Sequence, residues 1–233
     1  MLGSPFIGDF AGMIRAFMLA VGQITEPALF GVTLRSVLAT LVLALLLVGG
    51  VWYALFETTL FKLPYLEWAA DVLGGLLVVA LPVLLFPALV VAVSGFFLDE
   101  VVKAVERRHY PALAPGRDQG VLEGLWSALK FLGLILVLNL LFLPLYLIPG
   151  LNLIVFPALN GYLLGREYFE LVAVRRMGPA EMRVMRRERR LGLFSGGVII
   201  AFLSLVPFVN LLTPVLATAF MVHLFERYRR GLM

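Results

Sequence analysis

The chain has 233 residues, of which 61% are apolar and 15% are charged, and its formal net charge is +4. Several charge-free stretches exceed twenty residues, which excludes a soluble domain and indicates a protein that enters the membrane several times. The basic residues lie in blocks between apolar runs, as membrane orientation requires, which disfavours nucleic-acid binding. The chain has no cysteine, so disulfides and thiolate metal sites are excluded.

The N-terminal segment predicts an amphipathic helix. It lacks a basic stretch followed by a short apolar core and a small-residue cleavage site, so no signal peptide is expected. Apolar residues recur instead at helical spacings of three and four: Phe6, Phe10, Ile14, Phe17 and Val21. This pattern favours a helix lying in the headgroup region of the membrane, and the alternative is an ordinary helix packed on the protein's own loops.

Two spanning helices are predicted in the first half of the chain. Residues 36–56 carry no charge and are long enough to cross about 30 Å of hydrocarbon at about 1.5 Å per residue. Residues 72–98 form the second span, in which Pro82 and Pro87 predict a kink. The intervening residues 57–71 hold a single basic residue among interfacial aromatics, which predicts a translocated loop.

Two helical hairpins are predicted in the second half of the chain. Each of two charge-free runs of 35 residues contains a Pro-x-x-Asn turn signal, at residues 149–152 and 207–210. Two full crossings would need about 40 apolar residues plus a hydrated turn, so the length favours hairpins that penetrate only partway. Four complete spans are the alternative. The two runs resemble each other at an offset of about 58 residues, which indicates a weak internal repeat.

The arginine-rich segments set the orientation. Seven arginines occupy the connector at residues 175–190, and three more lie in the tail, so both termini are predicted to be cytoplasmic. The connector is interpreted as an orientation signal in contact with anionic lipid, with a docking surface or an anion funnel as the alternative. One membrane domain over residues 1–233 is expected, divided into an N-terminal segment (1–30), two spanning helices (31–98), a cytoplasmic loop (99–125), the first hairpin (126–174), the connector (175–190) and the second hairpin with the tail (191–233).

The hairpin turns are the candidate anion sites. A helix that restarts at Asn152 or Asn210 presents backbone N–H groups and the positive end of its dipole to an arriving oxyanion. Gly150 would allow a close approach to the backbone. Alternatively, both asparagines serve only as helix caps.

Two arginines complete the candidate site. Arg166 is placed at the mouth of an anion path and Arg35 just before the first span, where each is alternatively an interface anchor. His109 and His223 show no metal-ligand spacing and are interpreted as structural residues. Motifs for phosphate loops, metalloproteases and serine or cysteine nucleophiles are all missing, so neither an enzyme nor a cofactor is predicted.

Three segments of the chain resemble the CysZ sulfate permease family. They are residues 147–176 with the Pro149-Gly150-Leu151-Asn152 turn, residues 200–226 with the Pro207-Phe208-Val209-Asn210 turn, and residues 94–100. The resemblance implies an all-helical, homo-oligomeric inner-membrane protein with two long spanning helices and two partly penetrating hairpins. It further implies inward passage of sulfate for cysteine synthesis, without an ATPase subunit.

One element of the family's pattern is missing. Sulfate-permease relatives commonly carry a Pro-Gly-x-Arg-Arg-like element before the first span, associated with sulfate binding. The corresponding residues here are Pro27-Ala28-Leu29-Phe30-Gly31, and the nearest basic residue is Arg35. The alternative function is therefore a membrane structural or interaction protein that keeps the scaffold without conducting anions.

Overall fold

The computed structural model describes residues 5–56, 97–117, 120–146, 148 and 150–231, and all regular structure in these residues is helical. The predicted all-α class is confirmed, whereas the second span, its prolines and the loop at 57–71 lie outside the described residues. The helices described are α1 (Pro5–Gln23), α2 (Pro27–Phe56), α3 (Leu98–His109), α4 (Val121–Tyr146), α5 (Asn152–Ala173), α6 (Pro179–Glu188), α7 (Arg190–Leu205) and α8 (Val209–Arg230).

Helix α8 forms the centre of the packed part of the molecule. Its residues from Thr213 to Glu226 are all buried, because α1, α2, α3, α5 and α7 pack around it. Phe220 meets Phe17 of α1 edge-on, with ring centroids 5.7 Å apart. Phe225 meets Phe169 of α5 at 6.1 Å. The core therefore surrounds most of a single helix.

Helix α1 packs on α8 with one face and leaves another exposed. Met13, Ala16 and Ala20 are buried, while Phe10 is 54% and Ile14 46% exposed. The helix thus contacts its own protein, as the alternative interpretation held, yet keeps an apolar face free for the membrane surface.

Helix α2 begins nine residues before the predicted span. It has 30 residues, or about 45 Å at about 1.5 Å per residue, and Pro27 lies at its start, where proline is well tolerated. Ser36 and Thr40 are buried and donate their hydroxyl protons to carbonyls four residues earlier, at 3.0 and 2.7 Å. These bonds satisfy polar groups within an otherwise apolar helix.

The cytoplasmic loop predicted at residues 99–125 starts as a helix. In α3, Val101, Val102 and Val105 fall on one face and are buried, so the segment packs on α8 despite its polar composition. Next to this face, Glu106 forms a buried ion pair with Arg176 at 2.8 Å. This pair links α3 to the segment that follows α5.

Helices α5 and α7 cross in backbone contact. A Cβ added to Gly197 would lie 1.9 Å from the carbonyl oxygen of Gly161, and one added to Gly165 would lie 2.2 Å from that of Leu193. Small residues permit such an approach between membrane helices. Since position 161 faces 197 and position 165 faces 193, the two helices are antiparallel. The two hairpin turns therefore lie at the same end of this pair.

Three described helices are long and apolar enough to cross a membrane. These candidate spans are Pro27–Gly50, Leu129–Tyr146 and Val209–Arg230. Helix α7 has only 16 residues, which is about 24 Å and less than the roughly 30 Å of hydrocarbon. The hairpins thus have arms of unequal length, and their partial penetration stays a prediction.

Candidate anion site

The two hairpin turns share a left-handed backbone at equivalent positions. Gly150 has a φ of 82°, and Phe208, which follows Pro207 as Gly150 follows Pro149, has a φ of 66°. The N–H of Val209 donates to the carbonyl of Pro207 at 2.8 Å, which closes a γ-turn around Phe208 that is strained for a residue with a side chain. The two turns thus share a positive φ at this position, but their hydrogen bonds differ, since in the first turn the N–H of Leu151 donates to the carbonyl of Ile148 at 3.2 Å. The internal repeat stays a prediction.

The asparagines lie just inside the restarting helices. Leu151 and Phe208 occupy the two cap positions, and neither start has a capping side-chain hydrogen bond among the described residues. The N–H of Ile154 donates to Leu151 at 3.0 Å and that of Asn210 to Val206 at 2.9 Å. Carbonyls of the turns therefore accept hydrogen bonds from some of the backbone N–H groups that were expected to face an anion. The side chain of Asn152 is exposed and that of Asn210 is half-buried.

Arg166 and Arg35 are not near these turns. Arg166 follows Asn152 by about four helical turns, or roughly 20 Å, and it donates to Glu170 at 2.8 Å. Arg35 donates to Glu100 at 2.8 Å, and its guanidinium carbon lies 5.8 Å from the Phe97 ring centroid. The structure thus places both arginines in ion pairs and brings neither together with the asparagines.

A cavity of about 720 Å³ opens between α1 and the C-terminal ends of α3 and α8. We call it the basic cavity. Its lining has three arginines, two histidines, one tyrosine and several small or apolar residues, but no carboxylate from the described part of the chain: Ala11, Gly12, Arg15, Ala16, Leu19, His109, Tyr110, His223, Arg227 and Arg230. Its electrostatic character therefore favours anions.

Two of the cavity's arginines are held in position by the opposite wall. The guanidinium of Arg227 occupies the space beside α1 in which a Cβ on residue 12 would stand, with its Nη1 atom 0.2 Å from that point. Only glycine at position 12 permits this placement. The guanidinium of Arg230 stacks on the Tyr110 ring, 5.0 Å from its centroid.

A hydrogen-bonded network forms the floor of the cavity. The rings of His109 and His223 meet edge-on at 5.1 Å, and the side-chain nitrogen of Gln23 contacts Nε2 of both histidines, at 3.0 Å for His223. When Gln23 donates to Nε2, the proton of neutral His223 is on Nδ1 and is donated to Tyr110 Oη, 2.8 Å away. The hydroxyl proton of Tyr110 is then available to a ligand.

Tyr110 is a donor at neutral pH, as any phenol is. Burial raises its pKa further, to about 12. A phenol and planar guanidinium groups around one cavity suit the tetrahedral oxygens of sulfate or phosphate. A metal site is not indicated, because the described residues contain no cluster of three metal-ligating side chains.

Comparison with known proteins then identifies the family. The family model described as sulfate transporter CysZ/etoposide-induced protein 2.4 matches residues 16–214. The chain belongs to this family. The resemblance inferred from the Pro-x-x-Asn turns is thereby confirmed, since both turns fall within the match. A search of the curated proteins found no match.

The family match covers the basic cavity only in part. His109 and Tyr110 lie within it, whereas Gly12, Arg15 and Arg227 lie outside residues 16–214. Sequence reasoning did not assemble this cavity, because its residues come from three distant segments. The signals in the sequence were weak: the tail arginines were interpreted as orientation signals, and the histidines as isolated structural residues.

Proposed function

We propose that this protein moves sulfate or a related oxyanion across the bacterial inner membrane as a channel or permease that uses no nucleotide, and that it supplies cysteine synthesis. The description of its family names a sulfate transporter. The single observation that carries the proposal is the basic cavity, which offers three arginines and a protonated tyrosine without a lining carboxylate among the described residues.

The cavity would receive the anion at the cytoplasmic end of the protein. Arg15, Arg227 and Arg230 would replace part of the anion's hydration, and Tyr110 would donate one further hydrogen bond. A cavity open to solvent keeps binding weak enough for release, which a conducting protein requires.

The hairpin turns would supply polar contacts at membrane depth. Their surroundings are apolar and exposed, with Leu153 at 77% and Phe208 at 85% exposure, so the turns fit a position within the bilayer. Asn152, Asn210 and Gly150 are proposed as polar contacts there, with Arg166 and Arg35 nearer the cytoplasmic face. A homo-oligomer in which several hairpins surround one path would exclude lipid from the anion.

The test is uptake of radiolabelled sulfate into liposomes that contain the purified protein. Phosphate and chloride serve as competitors. The variants are Asn152→Leu at the first turn and Arg230→Gln in the basic cavity, with Asn139→Leu as the matched control. Asn139 is exposed on α4, and among the described residues its amide donates to the carbonyl of Ile135 in its own helix. Saturable uptake that falls at least several-fold in both test variants but not in the control supports the proposal. Uptake equal to that of empty liposomes, from folded protein, would refute it.

A scaffold function without conduction is the second candidate. It is favoured by the region before the first span, where the family's arginine pair is missing and Arg35 is engaged by Glu100 at 2.8 Å. On this alternative the protein would copurify with a stable partner and show no flux, even when sulfate binds to the basic cavity.

A further inference from the structure

A second basic pocket lies between α5, α6 and α7. We call it the arginine pocket. Its volume is about 290 Å³, which equals roughly ten water molecules at about 30 Å³ each. Five arginines line it together with three ring-bearing or aliphatic side chains: Tyr162, Arg166, Arg183, Arg186, Arg187, Arg190, Leu193 and Phe194.

Glu170 pairs with two of the arginines that line the pocket. Glu170 accepts a hydrogen bond from Arg166 at 2.8 Å and also one from Arg186. Two arginines are thereby fixed by one glutamate. Arg183, Arg187 and Arg190 make no ion pair with any residue that the structure describes.

Arginines that converge without partners favour a ligand that carries its own negative charge. Guanidinium groups bind phosphate in a planar, two-pronged geometry, which makes arginine the preferred residue for phosphate recognition. The pocket lies at the end of α5 and α7 away from the hairpin turns. The arginine distribution predicts that this end is cytoplasmic and near the lipid headgroups.

Two exposed apolar stripes lead away from the arginine pocket towards the hairpin turns. On α7 the stripe runs through Leu191, Phe194 and Phe202, which are 59%, 38% and 54% exposed. On α5 it runs through Tyr162 and Ile154, which are 46% and 67% exposed. The spacing of these residues, mostly multiples of three or four, places each set along one side of its helix.

A free oxyanion has no apolar part that could contact these stripes, whereas a lipid has acyl chains. The arrangement of charge at one end and apolar side chains along the membrane axis matches a phosphate headgroup with its acyl chains. We propose that the arginine pocket is a phosphate-group site occupied by an anionic phospholipid of the cytoplasmic leaflet, whose chains lie along α5 and α7.

This proposal does not rest on the transport function, although Arg166 is among the residues proposed for both. None of its arginines lines the basic cavity, so the protein could bind the lipid whether or not it conducts sulfate. Its occupancy would hold the α5–α7 crossing at a defined depth in the bilayer.

The experiment compares lipid binding by the full-length protein in detergent, measured by native mass spectrometry with titrated phosphatidylglycerol, phosphatidylcholine and inorganic phosphate. The test variant is Arg187→Gln with Arg190→Gln. The matched control is Arg107→Gln with Arg108→Gln, which removes the same charge from exposed positions on α3. Size-exclusion profiles establish that both variants are folded, which is expected because the four side chains are exposed.

We expect phosphatidylglycerol to bind more tightly than phosphatidylcholine. The test variant should weaken phosphatidylglycerol binding about 30-fold, since each arginine near an anionic headgroup contributes about five-fold. The control should change it less than three-fold. Equal weakening in both variants would mean that only the net charge matters and would overturn the site. Inorganic phosphate bound as tightly as the lipid would overturn the assignment to phospholipid, and equal binding of the two lipids would overturn recognition of the headgroup.

Discussion

Replacement of Gly12 by alanine should expel an arginine from the basic cavity without unfolding the protein. The new Cβ would overlap Arg227 Nη1, which lies 0.2 Å from its position. The guanidinium would have to move by about 3.5 Å to restore an ordinary van der Waals separation. The obstacle is the far end of a flexible side chain, so it can move without distortion of the backbone.

The magnitude follows from the loss of one charged donor. A hydrogen bond to a charged group contributes about 1.5–3 kcal/mol, so sulfate should bind roughly 10- to 150-fold more weakly to the variant. Stability should change little. Alanine is favoured over glycine in a helix by about 1 kcal/mol, and this gain would offset the weaker packing of the displaced side chain.

Isothermal titration of sulfate into the detergent-solubilised protein at low ionic strength measures this effect. Gly22→Ala is the matched control, because Gly22 lies in the same helix and an added Cβ there meets nothing within 4 Å among the described residues. Arg227→Gln should reproduce the loss seen for Gly12→Ala. If Gly12→Ala binds sulfate as tightly as Gly22→Ala, Arg227 does not contact the anion and the reasoning is refuted.

Three further predictions concern stability, each measured by chemical denaturation in mixed micelles. Glu106→Gln leaves a buried arginine without its charged partner and should lower the free energy of unfolding by about 3 kcal/mol. Glu100→Gln, in an exposed ion pair, should lower it by less than about 1 kcal/mol. Equal losses of stability in the two variants would contradict this prediction. Gly197→Ala places a Cβ 1.9 Å from a backbone oxygen and should cost at least about 1–3 kcal/mol, while the unobstructed control Gly133→Ala should be neutral or stabilising. Phe208→Gly relieves a positive φ and should stabilise the protein by about 1 kcal/mol. This is the strain energy released minus the conformational entropy that glycine adds to the unfolded chain. A loss of stability would show that the turn is unstrained.

Much of the helical framework was predictable because its signals are local. The charge-free run before residue 57 and the Pro-x-x-Asn turns at residues 149–152 and 207–210 depend on hydropathy and backbone chemistry within a few residues. The confirmed family assignment rests on the same short segments. The helix at residues 98–109 was not predicted, because the segment is polar in composition. One of its faces is apolar, and this face is buried by packing on α8.

The candidate sites were only partly predictable. Asn152 and Asn210 were proposed from the turns, and their contact with an anion stays a prediction. The turns' own carbonyls were not expected to accept some of the backbone N–H groups. Arg166 was predicted to lie at the mouth of an anion path, and this stays a prediction. Its neighbours in space, Arg183 and Arg187, come from a different helix and were not predicted.

The sequence by itself determined that the chain is helical, enters a membrane, turns twice at proline and belongs to its family, because hydropathy and turn chemistry act over short distances. Tertiary structure alone decided which charges meet. Arg15, His109 and Arg227 line one cavity although they lie far apart along the chain. Gly12 and Gly22 look equivalent in the sequence. Only the packing of α1 on α8 brings a guanidinium against Gly12, while a Cβ at Gly22 would have no described neighbour within 4 Å. The reason is physical: contacts between distant segments depend on how the helices pack, and no local pattern records that packing.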